Sequence, residues 1–222
     1  MTSMRYDMLT LKVDRLEPDM SAIRAAADAV RRGELVIFPI ETAYVIAADA
    51  QNDEAVEKLH SAADLGPTES LTLLVSGLED ILKAAEYLPD RARDLALKYW
   101  PGHVAFIVDK SNDVSDFATG HKETALVMAP EHPVALALLK ELRMPLAVTN
   151  ANLPGNAPPT TALEAIEQVG ASVEVVLDAG RSAAGHIPTV VDVSTIPPRI
   201  VRLGTVSADE VRDFLGEVEQ VA

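Results

Sequence analysis

Apolar residues in this chain fall into short runs, separated by longer stretches in which Ala, Leu and Val recur every three or four positions. Leu35-Val-Ile-Phe38, stopped by Pro39, predicts a buried strand. Val45-Ile-Ala-Ala48, Leu71-Thr-Leu-Leu-Val75, Val104-Ala-Phe-Ile-Val108, Thr124 to Met128 and Leu146 to Val148 predict further strands. Met8 to Val13 alternates weakly and predicts an edge strand. Val173 to Leu177, Thr189 to Val193 and Ile200 to Arg202 are β-branched and short. The helical pattern is carried by Ser21 to Arg32, which stops at Gly33, and by Asp53 to Ala63. It continues in Leu78 to Tyr87, Asp90 to Tyr99 and Pro133 to Leu142. Thr161-Ala-Leu-Glu164 and Ser207-Ala-Asp-Glu210 are capping boxes, each with a hydroxyl placed to accept from the backbone three residues on.

Strands alternating with helices predict an α/β fold in which a twisted, mixed sheet is flanked by helices. No repeat, low-complexity segment or long linker divides the chain, so residues 1–222 read as a single domain. Its motifs lie in about 20–206, and a last helix is expected over 207–221. The strands at Leu35–Phe38, Leu71–Val75, Val104–Val108 and Leu146–Val148 should share the sheet.

Composition narrows the setting. With 34 acidic against 19 basic residues the formal charge is −15, a field that repels phosphate backbones. Broad nucleic-acid binding is disfavoured, and no strongly basic run appears. No apolar stretch has membrane-spanning length. The first residues lack the apolar core of a secretory signal. There is no cysteine, hence no disulfide or thiolate chemistry, which fits a cytoplasmic protein.

Candidate chemistry gathers where strands end. Leu146-Ala-Val-Thr-Asn150 runs into Ala151-Asn-Leu-Pro-Gly155, which places Asn150 and Asn152 at a strand's carboxyl end. Ligands of open α/β sheets bind at that edge, although an ordinary Asn/Pro/Gly turn has the same composition. Phe38-Pro-Ile-Glu-Thr-Ala-Tyr44 is a second such loop. The five histidines show no metal-ligand spacing, and no metal site is expected. His186, just before Thr189, could enter a cleft. The glycines around Arg181-Ser-Ala-Ala-Gly185 point to a flexible loop without a phosphate-loop spacing.

Taken in order, Phe38 to Tyr44, Ala55-Val-Glu-Lys-Leu59, Trp100-Pro-Gly102, Pro145 to Gly155, Thr189-Val-Val-Asp192 and Val201-Arg-Leu-Gly204 resemble one family. It is the YrdC-like fold of the L-threonylcarbamoyl-AMP synthases, and the resemblance runs from about Gly33 to the last helix. It implies a reaction joining L-threonine, bicarbonate and ATP, with release of pyrophosphate, in service of the threonylcarbamoyladenosine modification of tRNA. An active chain would use ATP with Mg²⁺. The resemblance carries a substrate-binding set onto Thr42, Tyr44, Asn150, Asn152, Thr189 and Arg202, and leaves the catalytic residues unassigned. For each there is a plainer reading: Tyr44 as core, Thr189 as a β-former, Arg202 in a surface ion pair. Glu41 could be a helix N-terminal charge rather than a ligand.

The chain departs from the family pattern where cations are expected. A Lys-x-Arg pair and a further Lys are replaced by Asp64-Leu-Gly66 and Ser70. A strand arginine is replaced by Met128, and the Ser-Ala-Asn-x-Ser-Gly signature reads Asn150-Ala-Asn-Leu-Pro-Gly155. Ile40, Val45 and Pro188 stand where the family has Thr, Gly and Ser. A carbamate attacking an α-phosphate needs positive charge beside it. The expectation is therefore a divergent member that binds a small ligand in a cleft, or regulates, with weakened or lost nucleotide chemistry. The alternative is an active threonylcarbamoyl-AMP synthase. A protein partner that donates the missing cations stays open, and double-stranded RNA binding, which needs phosphate contacts, is the reading least favoured.

Overall fold

The structure, a computed structural model, describes residues 8–182 and 185–220. Its centre is an eleven-stranded mixed sheet in the order β1-β8-β2-β3-β7-β4-β6-β5-β9-β10-β11. The first half comprises β1 (Leu9–Lys12), β2 (Leu35–Pro39), β3 (Tyr44–Asp49) and β8 (Val173–Asp178). The second comprises β4 (Thr72–Leu74), β5 (Val104–Asp109), β6 (Thr124–Met128), β9 (Thr189–Asp192), β10 (Arg199–Arg202) and β11 (Glu219–Gln220). Between them runs β7 (Leu146–Asn150), antiparallel to β3 on one side and to β4 on the other. All four strands expected to share the sheet do so, as β2, β4, β5 and β7.

Helices cover both faces. α1 (Met20–Arg31) and α4 (Pro133–Leu142) pack on one, closing a core of Ile23, Val30, Phe38, Leu138 and Leu146. On the other lie α2 (Asp53–Ala62), α3 (Asp90–Tyr99), α5 (Ala162–Val169) and α6 (Ala208–Leu215), around Leu35, Tyr44, Leu59, Leu95 and Phe106. The caps explain where the helices start. Both capping boxes form, Thr161 with Glu164 and Ser207 with Glu210. The cap of α1 is Asp19, whose carboxylate accepts from the Ser21 N–H, so this helix starts ahead of Ser21.

Two expectations fail. Leu78 to Tyr87 is not a helix; only a 3-10 turn over Ile81–Lys83 forms. The backbone of residues 84–86 is taken instead by the end of β5 and the residues just beyond it, with Glu86 N–H donating to Asp109 and Ser111 N–H to the Ala84 carbonyl. Leu82 and Tyr87 consequently point to solvent. The last helix stops at Leu215, because Gly216 turns at φ 77° and the chain then pairs with β10 as β11. Residue 221 lies outside the described residues. No helix among the described residues is long and apolar enough to cross a membrane.

One close approach fixes the loop from Asp64 to Ser70. Gly120, at φ 59°, packs so tightly that an added Cβ would meet the Thr68 carbonyl oxygen at 2.2 Å. Gly155, at φ 83°, has nothing within 4 Å. Gly120→Ala is expected to cost about 2–4 kcal/mol and lower Tm by roughly 5–10 °C, with Gly155→Ala costing about 1 kcal/mol. Thermal melting of the two variants checks the contrast.

Candidate functional site

Residues directly opposite across a ladder point to the same face, so register places the site residues. Leu146 faces Leu74, Leu74 faces Met128, Ala105 faces Val190, and Val190 faces Arg202. Because Val127 is opposite Phe106, Met128 is opposite Ala105, and the row is continuous from β7 to β9; a register shift between Ile200 and Arg202 then brings Arg202 opposite Val190. The next row reads Val148, Thr72, Leu126, Ile107, Asp192, Arg199. Asn150 faces Val45, which belongs to the same core as Leu74 and Val190. Asn150, Met128 and Arg202 therefore share the face that carries α1 and α4. In the second row Thr72, Leu126, Ile107 and Asp192 are only half-buried, which leaves a mixed polar and apolar floor open beside the helices.

The six expected site residues fall into two groups along this sheet. Thr42, Tyr44, Asn150 and Asn152 lie at the β3–β7 end. Thr42 is exposed in the β2–β3 turn, Asn150 is exposed, and the Ala151 N–H donates to the Tyr44 carbonyl. Asn152 is half-buried; its Nδ2 donates to the Leu153 and Asn156 carbonyls, while its Oδ1 is buried without a partner among the described residues. Thr189 and Arg202 form the second group, on β9 and β10. The Gly180 carbonyl accepts from the Tyr44 hydroxyl, and Gly185 packs on Glu41. His186 then stacks on His103 at 5.3 Å, and the His103 carbonyl accepts from the Thr189 N–H. Residues 183 and 184 of the expected flexible loop lie outside the described residues.

Side-chain chemistry separates ligand-facing groups from structural ones. Tyr44 is fully buried; its hydroxyl donates to the Gly180 carbonyl at 2.5 Å and accepts from the Ala179 N–H at 3.1 Å. Burial pushes its pKa up to about 12, so it stays a neutral phenol. Thr189 is also fully buried, donating to the Val206 carbonyl and accepting from Gly204 and Val206 N–H groups. Both hydroxyls are spent inside the protein, as clamps on the β8 and β10 ends. Arg202 is exposed and forms no ion pair among the described residues; its guanidinium donates to the Pro188 carbonyl at 3.3 Å.

Glu41, in the β2–β3 turn, accepts from the N–H groups of Glu131 and His132, where α4 begins. It thus serves as a helix N-terminal charge, a placement favoured by the dipole. His132 is buried and caps α4 by accepting from Val134 N–H through Nδ1. Burial depresses its pKa to about 4, so it is neutral at neutral pH. Arg15, Glu41, Glu131, His132 and His186 line a cavity of about 320 Å³ between the two residue groups. Pattern reading missed Arg15 and His132, and the only signal for the latter was its place before Pro133, a helix-opening residue.

The segment Asp64 to Ser70 holds two carboxylates and no basic residue. Asp64 is exposed at φ 53°, Glu69 accepts from the Gly66 N–H, and the Ser70 hydroxyl donates to the Thr119 carbonyl at 2.8 Å. Among the described residues, no three His, Asp or Glu converge on a metal position.

Tyr44→Phe strands the Gly180 carbonyl and the Ala179 N–H, and is expected to cost about 1–3 kcal/mol in urea unfolding. The His132 cap makes stability pH-dependent. Its folded pKa lies below the 6.5 of a free imidazole, so between the two values the unfolded chain binds more protons. Stability is fully present above about pH 6.5 and falls on acidification toward pH 4, by up to about 2 kcal/mol at pH 5. His132→Asn, which retains a capping oxygen without titrating, should flatten that slope; equal slopes in the two proteins would contradict the assignment.

The matching family is that of Sua5, YciO and YrdC, described as "Telomere recombination", over residues 28–204. A Mycobacterium tuberculosis (strain H37Rv) protein named "Putative threonylcarbamoyl-AMP synthase" is 36% identical over 211 residues, covering 94% of this chain and 96% of that protein. The threonylcarbamoyl-AMP synthase of Pyrococcus abyssi is 32% identical over 88% of this chain, which spans only 58% of that protein's length. The crystal structure of P. abyssi Sua5 complexed with L-threonine superposes with a TM-score of 0.87 at 30% identity, over 96% of this chain and 63% of that one. Matched across its sheet, its helices and the loops at its strand ends, the chain belongs to the Sua5/YciO/YrdC family.

Proposed function

We propose that the chain is a threonylcarbamoyl-AMP synthase, binding its substrates on the open sheet face between Asn150 and Arg202. The supporting observation is similarity to synthase-named relatives along nearly the whole chain, in one case over nearly the whole relative as well. It favours this reading over lost chemistry. In the reaction, an oxygen of N-carboxythreonine bonds to the α-phosphorus of ATP as the α–β phosphoanhydride breaks, and pyrophosphate leaves. Arg202 on β10 and Arg15 in the cavity between the two groups, each without a carboxylate partner among the described residues, are side chains available to meet a phosphate or carboxylate. Among the described residues no three His, Asp or Glu form a ligand cluster, which suits a Mg²⁺ carried largely by the triphosphate oxygens. The product would enter tRNA threonylcarbamoyladenosine modification.

A second reading, a ligand-binding or regulatory protein with lapsed nucleotide chemistry, is favoured by one specific observation. Asp64, Gly66, Ser70 and Met128 stand where the family resemblance calls for cations, and Glu69 adds a carboxylate to the same loop. Each charge-assisted hydrogen bond lost costs about 1.5–3 kcal/mol, and adenylyl transfer depends on such positioning.

Pyrophosphate release that requires both L-threonine and bicarbonate separates the two. The synthase reading expects turnover on the order of 1 s⁻¹, with Arg202→Ala slower by about tenfold or more. Turnover at the uncatalysed background would leave the lapsed site. Under either reading Asp64→Lys, Gly66→Arg and Ser70→Lys together should tighten ATP binding by about tenfold or more, measured by calorimetry.

A further inference from the structure

At the sheet end opposite Asn150, where β4 stops and β5 starts, two cavities share Ser76, Glu79 and Lys140 as walls. The first, about 380 Å³, lies between α3 and α4 and is mainly apolar, with Leu78, Leu97, Trp100, Pro101 and Leu136 in its lining. Leu97 is 66% exposed on α3 although it packs into neither core. The second, about 490 Å³, is lined by Lys83, Lys140 and Arg143 beside Glu79 and Asp80.

The charges there are unequally matched. Asp80 is compensated by Lys83 at 2.8 Å and by the Ser76 hydroxyl. Among the described residues neither Lys140 nor Arg143 pairs with a carboxylate. Cations at the end of α4 also complement its dipole, which accounts for their sign. It does not account for Arg143 at φ 55°, a left-handed position that favours glycine. Three cations, Lys83, Lys140 and Arg143, face two carboxylates, Glu79 and Asp80, which leaves a local excess of one positive charge beside an apolar trough on a chain of net charge −15.

We propose that this groove binds a small amphipathic anion. Its apolar body rests on Leu97, Trp100 and Leu136, and its carboxylate or phosphate head lies between Lys140 and Arg143. None of the groove's lining residues belongs to the Thr42–Arg202 site set, so the inference does not rest on the synthase reading.

The probe is 1-anilinonaphthalene-8-sulfonate, an aromatic body with an anionic head, added to the full chain. Expected is saturable fluorescence enhancement with one equivalent bound, weakened about tenfold or more by Lys140→Gln with Arg143→Gly. Leu97→Glu should weaken it comparably from the apolar side. Arg143→Gly relieves the left-handed backbone and the other two positions are exposed, so circular dichroism should show all variants folded. Decanoate and octyl phosphate should displace the probe, their relative strength identifying the head group, while inorganic phosphate at equal concentration should not. Non-saturable binding, enhancement unchanged in the double variant, or full displacement by inorganic phosphate would each overturn the proposal.

Discussion

Two antiparallel ladders made by one short strand hold the two halves of this sheet together. β7 pairs with β3 from Leu146–Asp49 to Asn150–Val45, and with β4 from Leu146–Leu74 to Val148–Thr72. Leu146 and Val148 enter the core under α1 and α4, while Ala147 enters the opposite one. A slip of one residue would exchange these faces and turn Asn150 away from the open floor. It would also break the Ala151–Tyr44 backbone bond, and with it the seat of the buried Tyr44 hydroxyl. The polar residues at the end of β7 therefore take their position from a register fixed by apolar burial on both faces.

Much of this was legible in the chain. Phe38, Leu73, Phe106 and Val148 sit in runs whose apolar content leaves little choice, and both capping boxes formed at the residues their spacing indicates. What the pattern could not supply was partnership at a distance. Nothing local in Leu78 to Tyr87 shows that Ala84 and Glu86 bond to Ser111 and Asp109, at the end of β5 and just beyond it. Nor does Gly216 alone announce a strand after it. The same limit governs the site. Thr189 reads either as a pocket hydroxyl or as a β-former, and Tyr44 more readily as core than as a ligand; the carbonyls of Val206 and Gly180, supplied by remote loops, give both hydroxyls structural work.

The acidity of the chain acquires a structural meaning beside these contacts. With 34 carboxylates and 19 cations, at least 15 acids cannot be matched by ion pairs. Several are matched by backbone N–H groups instead. Asp19, Glu164 and Glu210 are held below the usual carboxylate range first by such bonds at helix starts, and Asp14 by bonds in a turn. Glu41 does the same for α4. Helix termini thus absorb negative charge that the open face, where Arg202 stands without a carboxylate partner among the described residues, does not have to carry.

The edge position of β1 bears on how the protein is made. Leu9 pairs with Val175 and β2 pairs with the same strand β8, so β1 and β2 both await a partner synthesised more than a hundred residues later. Parallel pairing at such separation closes long loops before any contact rewards them, which slows folding and lengthens exposure of the unpaired edges. The β2–β3 hairpin, whose partners lie within a few residues, can form meanwhile, but its outer edge stays bare until β8 arrives. Assembly of this half of the sheet is consequently a late event, completed only when most of the chain has been translated.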